Sequence, residues 1–294
     1  MSDENPARHR LLIADDDAAT RHGVAKLLEK AGFDVSEAAD GIAALNALQE
    51  KQYDLVFLDI WMPHLSGLEV LARMRTGTTR PKAIVMTSDD TSETLLRAVK
   101  EQAYDYLSKP FSPRHAVEAA QRALSNNQEP AIEVLSARPH WVELLIPCTR
   151  EAAERIQTFM MKLEADLPDS VRESIASCFR ELLLNAVEWG GQLDPNRKVR
   201  IASVRSPRML MFRIADPGPG FSFEKLSHAA VGQPESEPIA HMLVREERGI
   251  RPGGFGILMT MAAADELLYN EAQNEVMFVK YFDHTQTIPP KKAG

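Results

Sequence analysis

Apolar and polar positions alternate in two different ways along the chain and divide it into two halves. In the first half, short apolar runs are each followed by a stretch in which apolar residues recur every three to four positions. This alternation of strands and amphipathic helices predicts a parallel sheet wrapped by helices, a doubly wound α/β fold. The predicted strands are 11–14, 34–38, 54–58, 83–87 and 104–107, and the predicted helices are 20–31, 42–50, a helix from 67, 92–101 and a last helix ending near 124.

The second half has a different order of elements. It opens with WVELLIP, whose apolar and polar residues alternate as in a half-buried strand, and continues with two helical stretches. Helices combined with mostly antiparallel strands predict an α+β sandwich. The predicted elements are a strand over 141–147, helices over about 150–165 and 168–190, strands KVRIASV and LMFRIAD, a helix from Gly254, and a hairpin of DELLYN and VMFVKYF.

A stretch without periodicity separates the two halves. Residues 125–139 carry Asn, Pro and Ser and are predicted to form a linker. The predicted organisation is therefore an N-terminal tail (1–10), a first domain (11–124), the linker, a second domain (140–284) and a C-terminal tail (285–294).

Length, charge and cysteine content exclude several classes of protein. The 294 residues suffice for two domains, and 34 basic against 42 acidic residues give a net charge of −8 without a basic run, which argues against direct DNA binding. Cys148 and Cys178 form no CxxC pair, which suits a reducing compartment. A polar N-terminus and the lack of an apolar run of roughly 18 residues predict a cytoplasmic protein with no membrane contact.

Charged and hydroxyl side chains follow four of the five predicted strands in the first half. Asp15 and Asp16 follow the first strand, Asp59 the third, Thr87 ends the fourth and Lys109 follows the fifth. The carboxyl ends of parallel strands meet at one edge of the sheet, where ligands bind. Converging carboxylates repel one another unless a hard cation such as Mg²⁺ lies between them. One such aspartate alone would more often be a turn or helix cap, but the set predicts a site.

Residues 11–124 resemble the CheY-like receiver domain of two-component response regulators over its whole length. The resemblance is carried by LLIADDD, LVFLDIWMPHLSG, IVMTS and DYLSKPF. It implies that Asp59 accepts a phosphoryl group from an upstream histidine kinase or phosphotransfer protein. It further implies that Thr87 and Lys109 hold the phosphoryl oxygens.

The same resemblance implies a metal site and a switch. Asp16, Asp59 and the main-chain carbonyl of Trp61 would ligate Mg²⁺, with Asp15 assisting through water. Tyr106 would turn inward when Thr87 moves toward the phosphoryl group, and this switch role is favoured over the alternative of an amphipathic tyrosine on an edge strand. The bulk of the Trp61 side chain, close to Asp59, leads us to expect slow self-dephosphorylation.

Three short motifs stand in order in the second half. ELLLNAVEWGG (181–191) places Glu181 and Asn185 on one helix face, DPGPGF (216–221) follows a strand, and GGFGI (253–257) opens a helix. Taken alone, the first motif is better explained as a surface glutamate with a capping asparagine, the second is explained equally well as a plain turn, and the third is a glycine run that is weak evidence by itself. Together they resemble the N, G1 and G2 boxes of the GHKL ATPase superfamily, which has the Bergerat ATP-binding fold, over about residues 141–282.

The GHKL resemblance implies roles for individual residues. Asn185 would bind Mg²⁺ beside the triphosphate, Asp216 would accept a hydrogen bond from the adenine amino group, and Glu181 would be the general base toward a serine hydroxyl. The stretch from 221 to 252 would be the ATP lid. Four glycines would shape the nucleotide cradle: Gly218, Gly220, Gly254 and Gly256.

The opening strand and helices, together with NAVEWGG, look most like the anti-sigma-factor serine kinases. The expected protein is a response regulator whose phosphorylation controls an ATP-binding serine/threonine kinase that acts on an anti-sigma-factor antagonist or releases a sigma factor. The sequence leaves the oligomeric state open; a homodimer is compatible with the resemblance, since both families often dimerise through helical surfaces.

Two alternatives stay open. In the first, the second domain holds ATP without transferring it and serves as an anti-sigma or interaction scaffold. In the second, the protein is a hybrid histidine-kinase relative that receives its phosphoacceptor histidine from another chain. Autophosphorylation on histidine is disfavoured, because His140 precedes a strand while His228 and His241 fall in the predicted lid.

Overall fold

A computed structural model of the chain describes residues 8–74, 80–89, 91–125, 130–220 and 256–282. The chain divides into two compact units, residues 1–129 and 130–294.

The first unit is a five-stranded parallel sheet with the strand order β2-β1-β3-β4-β5. Its predicted strands agree with the observed ones to within one residue at each end. The elements are β1 (Arg10–Ala14), α1 (Ala18–Lys30), β2 (Asp34–Ala38), α2 (Gly41–Glu50), β3 (Leu55–Asp59), α3 (Gly67–Met74), β4 (Lys82–Thr87), α4 (Ser92–Lys100), β5 (Asp105–Ser108) and α5 (Pro113–Ser125).

Two apolar clusters cover the two faces of this sheet. On one face α2 and α3 pack over residues such as Leu12 and Val56, and on the other α1 and α5 pack over Leu11 and Phe57. Neighbouring residues of one strand thus enter opposite clusters, because side chains alternate across a strand. The doubly wound α/β prediction is confirmed.

The second unit is a six-stranded antiparallel sheet with the order β10-β11-β9-β8-β7-β6. An aromatic stack of Phe179, Phe212 and Phe278, with ring centroids 4.7 and 5.1 Å apart, joins a helix to the sheet. The predicted α+β sandwich is confirmed. The elements are β6 (Glu133–Arg138), β7 (Trp141–Pro147), α6 (Arg150–Leu163), α7 (Asp169–Asn185), a π-helical turn (Ala186–Gly190), β8 (Lys198–Arg205), β9 (Met209–Ala215), α8 (Gly256–Ala263), β10 (Glu266–Tyr269) and β11 (Glu275–Tyr281).

Two elements differ from the sequence expectation. The predicted linker 125–139 contains β6, an edge strand whose register shifts between Val134 and Ser136. Half of its six residues are polar and its register is interrupted, so its pairing with β7 is not visible as periodicity. The helix predicted over 168–190 is α-helical only to Asn185 and continues as the π-helical turn. In the described residues, no helix is long and apolar enough to cross a membrane.

Candidate functional site

Three aspartates meet at the carboxyl end of the parallel sheet. Asp15 is fully buried and Asp59 is 4% exposed, whereas Asp16 faces solvent. One carboxylate oxygen from each of the three lies within 4.8 Å of those of the other two. They lie where β1 pairs with β2 on one side and β3 on the other, which is the switch point of the strand order. This donor set suits a hard divalent cation.

Lys109 forms ion pairs with both buried acids. Its Nζ lies 2.7 Å from Asp15 Oδ2 and 2.8 Å from Asp59 Oδ2, and the Lys109-Pro110 peptide that follows is cis. Burial raises the pKa of Asp59, against the opposing hydrogen bond from Lys109. Burial alone would lower the pKa of Lys109, but the two carboxylates outweigh it and raise that pKa.

The remaining residues predicted for this site lie on neighbouring strands and loops. Thr87 is buried one position beyond Met86, which pairs with Asp59, and its hydroxyl accepts a hydrogen bond from Asp89 N at 2.9 Å. The Trp61 amide donates to Asp59 Oδ1 at 3.3 Å, while its side chain is 57% exposed. Tyr106 packs against the α2–α3 cluster, and its hydroxyl oxygen is buried.

In the second unit, Glu181 lies against the start of α8. A Cβ added to Gly256 would stand 2.2 Å from Glu181 Oε2, so the carboxylate fits only because residue 256 is glycine. Seven residues back along α7, the Ser174 hydroxyl donates to Ala263 O at 3.2 Å. The two helices therefore run antiparallel, side by side, with Glu181 at the N-terminal end of α8.

Asp216 lies in a loop that packs on the π-helical turn. Gly218 N donates to Asp216 Oδ1 at 2.7 Å, and a Cβ on Gly190 would lie 2.1 Å from Asp216 Cγ. Burial raises the pKa of Asp216, against the opposing effects of the Gly218 amide and Arg197. Asn185 is the last residue of α7, and Gly190, which contacts Asp216, lies in the turn that follows. This helix and its turn therefore carry one predicted ligand, Asn185, and contact a second, Asp216.

Gly220 has φ +84° and lies against the β10–β11 turn, where a Cβ would stand 1.6 Å from Ala272 O. A glycine is required at this position on both counts. Gly254, His228, His241 and the predicted lid 221–252 lie outside the described residues.

Comparisons with known proteins agree with this two-part organisation. The family model of the response regulator receiver domain matches residues 11–121, and that of the histidine kinase-like ATPase domain matches residues 146–280. The DNA-binding response regulator MtrA of Mycolicibacterium paratuberculosis is 32% identical over 184 residues, which cover 62% of this chain and 80% of that protein. The chain belongs to the response regulator family. Its receiver domain is followed by a histidine kinase-like ATPase domain.

Two further similarities concern the receiver half of this response regulator. Response regulator MprA of Mycobacterium avium is 35% identical over 144 residues, which cover 48% of this chain and 62% of that protein. The receiver domain of the Francisella response regulator 1452 is 27% identical and matches with a TM-score of 0.40, covering 41% of this chain and all of that one.

Sequence reasoning missed two residues that shape the receiver site of this response regulator. Arg21 donates from Nη1 to Asp15 O at 2.7 Å and pairs through Nε with Glu37 at 3.1 Å, so it fixes the main chain of the acidic pair. Gly67 lies so close to Asp59 that a Cβ would stand 2.1 Å from Asp59 O. The glycine in the segment LSG could have pointed to Gly67. Arg21 could not be identified from the sequence, because its spacing on the helix is the same as that of many surface residues.

Asn274 was missed in the ATPase half. Its main-chain oxygen accepts from Asp216 N at 2.8 Å, and its side chain donates to Gly218 O at 3.0 Å. No motif marks this residue in the sequence, because its contact with the DPGPG segment depends on the pairing of β9 with β11.

Proposed function

We propose that this response regulator is phosphorylated on Asp59 and controls an ATP-binding serine/threonine kinase domain of the anti-sigma-factor type in a partner-switching cascade. The observation that carries the kinase assignment is the arrangement around α7 and its π-helical turn. Glu181 on this helix lies against Gly256, Asn185 ends the helix, and Gly190 in the turn supports Asp216. α7 and its π-helical turn thus carry the proposed base, Glu181, and the proposed metal ligand, Asn185, and they contact the proposed adenine-binding acid, Asp216.

The receiver residues fit Mg²⁺, because three carboxylates converge and the buried pair carries more negative charge than Lys109 alone offsets. Asp16, Asp59 and the Trp61 carbonyl would hold the ion, with Asp15 assisting through water, and the ion would neutralise charge on the phosphoryl group. In the transfer step, an Asp59 oxygen bonds to phosphorus and the bond to the donor's histidine nitrogen breaks. The ammonium of Lys109 and the hydroxyl of Thr87 stabilise the phosphoryl oxygens.

The residues of the ATPase domain fit a nucleotide because of the main-chain packing around the two acids and the hydrogen bonding of Asp216. Glycines at 190, 218 and 256 let the main chain approach the carboxylates of Asp216 and Glu181 more closely than a Cβ would allow. Asp216 Oδ1 is occupied by Gly218 N, and among the described residues no hydrogen bond reaches Oδ2, which is then available to the adenine amino group. Asn185 would hold Mg²⁺ at the triphosphate.

Phosphoryl transfer would end on a serine of an anti-sigma-factor antagonist. Glu181 accepts the proton of the serine hydroxyl as its oxygen bonds to the γ-phosphorus, and ADP leaves. MtrA is named as a DNA-binding regulator, but the half of this chain beyond the receiver matches an ATPase model, so the proposed output is ATP chemistry.

Calorimetric titration of Mg-ATP into the purified full chain, with and without beryllofluoride, tests both sites and their linkage. Beryllofluoride mimics the phosphoryl group on Asp59. If it changes the affinity for ATP, ATP must change the affinity of the receiver for beryllofluoride by the same factor. We expect ATP binding that changes with beryllofluoride. Asp216→Asn should lose binding, whereas Glu181→Ala should retain it.

Transfer is then measured with radiolabelled ATP and an anti-sigma-factor antagonist. Acid-stable phosphate that is lost with Glu181→Ala supports the serine kinase. Acid-labile, alkali-stable phosphate would instead indicate histidine. Absence of ATP binding by the unaltered chain would refute the nucleotide assignment.

A further inference from the structure

The turn between β10 and β11 holds the loop that carries Asp216. We propose that Asn274, in this turn, is a positioning residue that orients the Asp216 carboxylate and thereby sets selectivity for adenine over other bases. The proposal rests on the proposed nucleotide function of Asp216. Asn274 makes two hydrogen bonds to this loop: its main-chain oxygen accepts from Asp216 N at 2.8 Å, and its Nδ2 donates to Gly218 O at 3.0 Å.

The side chain of Asn274 is itself held in one orientation. Asn270 Nδ2 donates to Asn274 Oδ1 at 2.8 Å, and Asn270 Oδ1 accepts from Asn274 N at 3.1 Å and from Glu275 N at 3.2 Å. An amide offers one acceptor oxygen and one donor nitrogen. With Oδ1 engaged by Asn270, the Nδ2 group points to Gly218, so the pair of asparagines acts as a unit.

The hydrogen bond from the Asn274 side chain acts on the Asp216 carboxylate through Gly218. The Gly218 amide donates to Asp216 Oδ1 at 2.7 Å, while the carbonyl of the same residue accepts from Asn274. Arg197 adds a third hold by donating from Nη2 to Pro217 O at 2.6 Å. Fixing residues 216–218 at these points fixes which carboxylate oxygen is occupied and where the other one lies.

Orientation of this carboxylate matters most for the base. A carboxylate accepts a hydrogen bond from the 6-amino group of adenine, but the 6-carbonyl of hypoxanthine presents an acceptor to it and leaves both groups unpaired. A site built on such a hydrogen bond rejects the analogue that lacks the donor. Loosening the carboxylate therefore lowers ATP affinity while leaving ITP affinity nearly unchanged, because ITP gains nothing from the ordered Asp216.

The experiment compares Mg-ATP and Mg-ITP affinities of the full chain by calorimetry. Asn274→Ala is expected to lower the ratio of ATP to ITP affinity by about tenfold, equivalent to roughly 1.4 kcal/mol, the order of one lost hydrogen bond. Asn270→Ala removes the hydrogen bonds that orient the side chain and main chain of Asn274 but keeps the Asn274 side chain that donates to Gly218, and it is expected to lower the ratio in the same direction by less. Asn46→Ala, an exposed site on α2, is the control.

The outcomes separate this inference from the function on which it rests. Failure of the unaltered chain to bind Mg-ATP would refute the nucleotide site itself. ATP binding by the unaltered chain, with an unchanged ATP to ITP ratio in both folded asparagine variants, would overturn the positioning role. Equal losses for ATP and ITP would also overturn it, since they indicate general structural support. If Asn274→Ala does not fold, the Asn270→Ala ratio decides.

Discussion

The carboxylate of Glu181 occupies the space that the missing side chain of Gly256 leaves open. The two residues come from different motifs and from adjacent antiparallel helices, α7 and α8. A Cβ at position 256 would stand 2.2 Å from Glu181 Oε2, which is closer than nonbonded atoms approach. Because this oxygen is the end of a flexible side chain, the expected response is displacement of the carboxylate.

A double-mutant cycle tests this contact without relying on activity. Gly256→Ala should lower the free energy of unfolding by about 1 kcal/mol, the lower end of the range for overpacking, because the Glu181 carboxylate can move away. In a Glu181→Ala background the same substitution should be neutral or slightly stabilising, because alanine favours the helix over glycine. Denaturant unfolding of the four proteins gives the coupling. An equal effect in both backgrounds would show that the clash lies elsewhere.

Removal of Lys109 should leave two carboxylates facing one another in the receiver. Asp15 and Asp59 are buried, and Lys109 Nζ is within 2.8 Å of both. We expect Lys109→Ala to destabilise the receiver by about 3 kcal/mol at neutral pH, the usual effect of breaking a buried ion pair. Millimolar Mg²⁺ should restore more stability to this variant than to the unaltered protein.

Urea unfolding with and without Mg²⁺ measures this effect. Lys100→Ala, in the exposed last turn of α4, is the matched lysine control and should change neither curve. A Lys109→Ala protein as stable as the control in metal-free buffer would contradict the charge-balance argument.

Glu164 should make the stability of the ATPase domain depend on pH. Its side chain is 4% exposed, and burial raises its pKa from about 4.5 to about 7, against the opposing charge of Arg205. Between these values the folded protein holds a proton that the unfolded chain has released, so stability falls as pH rises through this window. The total loss is on the order of 3 kcal/mol at 1.36 kcal/mol per pKa unit.

Denaturant unfolding from pH 4.5 to 7.5 measures that slope for the ATPase transition. Glu164→Gln, which cannot ionise, should flatten it, whereas Glu154→Gln on the exposed side of α6 should leave it unchanged. A slope that survives in Glu164→Gln would assign the pH dependence to other groups.

Trp61 should prolong the lifetime of phosphorylated Asp59. Its amide already bonds Asp59, and its large side chain stands exposed two positions further on, where it would hinder an attacking water. Trp61→Asn is expected to shorten the lifetime several-fold after labelling with a small-molecule phosphodonor. Trp141→Asn replaces a similarly exposed tryptophan in the other domain and is the control. Equal decay rates in all three proteins would remove the shielding role.

Much of the fold was readable from the sequence, because hydrophobic periodicity is a local property. The strand LVFLD is buried at every position, as a central parallel strand requires. Because all strands of a parallel sheet run in the same direction, their carboxyl ends meet at the same edge of the sheet. The convergence of Asp15, Asp59 and Lys109 could therefore be predicted before any distance was known. β6 could not be predicted, because apolar and polar residues do not alternate regularly along this edge strand and its register is interrupted, so only its pairing with β7 defines it.

The ATPase half shows where local information ends. The sequence by itself determined the helix of Glu181 and Asn185, the strand before Asp216 and the glycines that permit close approach. Only the tertiary structure decided that Gly190 supports Asp216, that Glu181 meets Gly256, and that Asn274 holds a loop 56 positions away at Gly218. These contacts depend on the register between β9 and β11 and on the packing of α7 against α8, and such nonlocal terms leave no periodic trace along the chain.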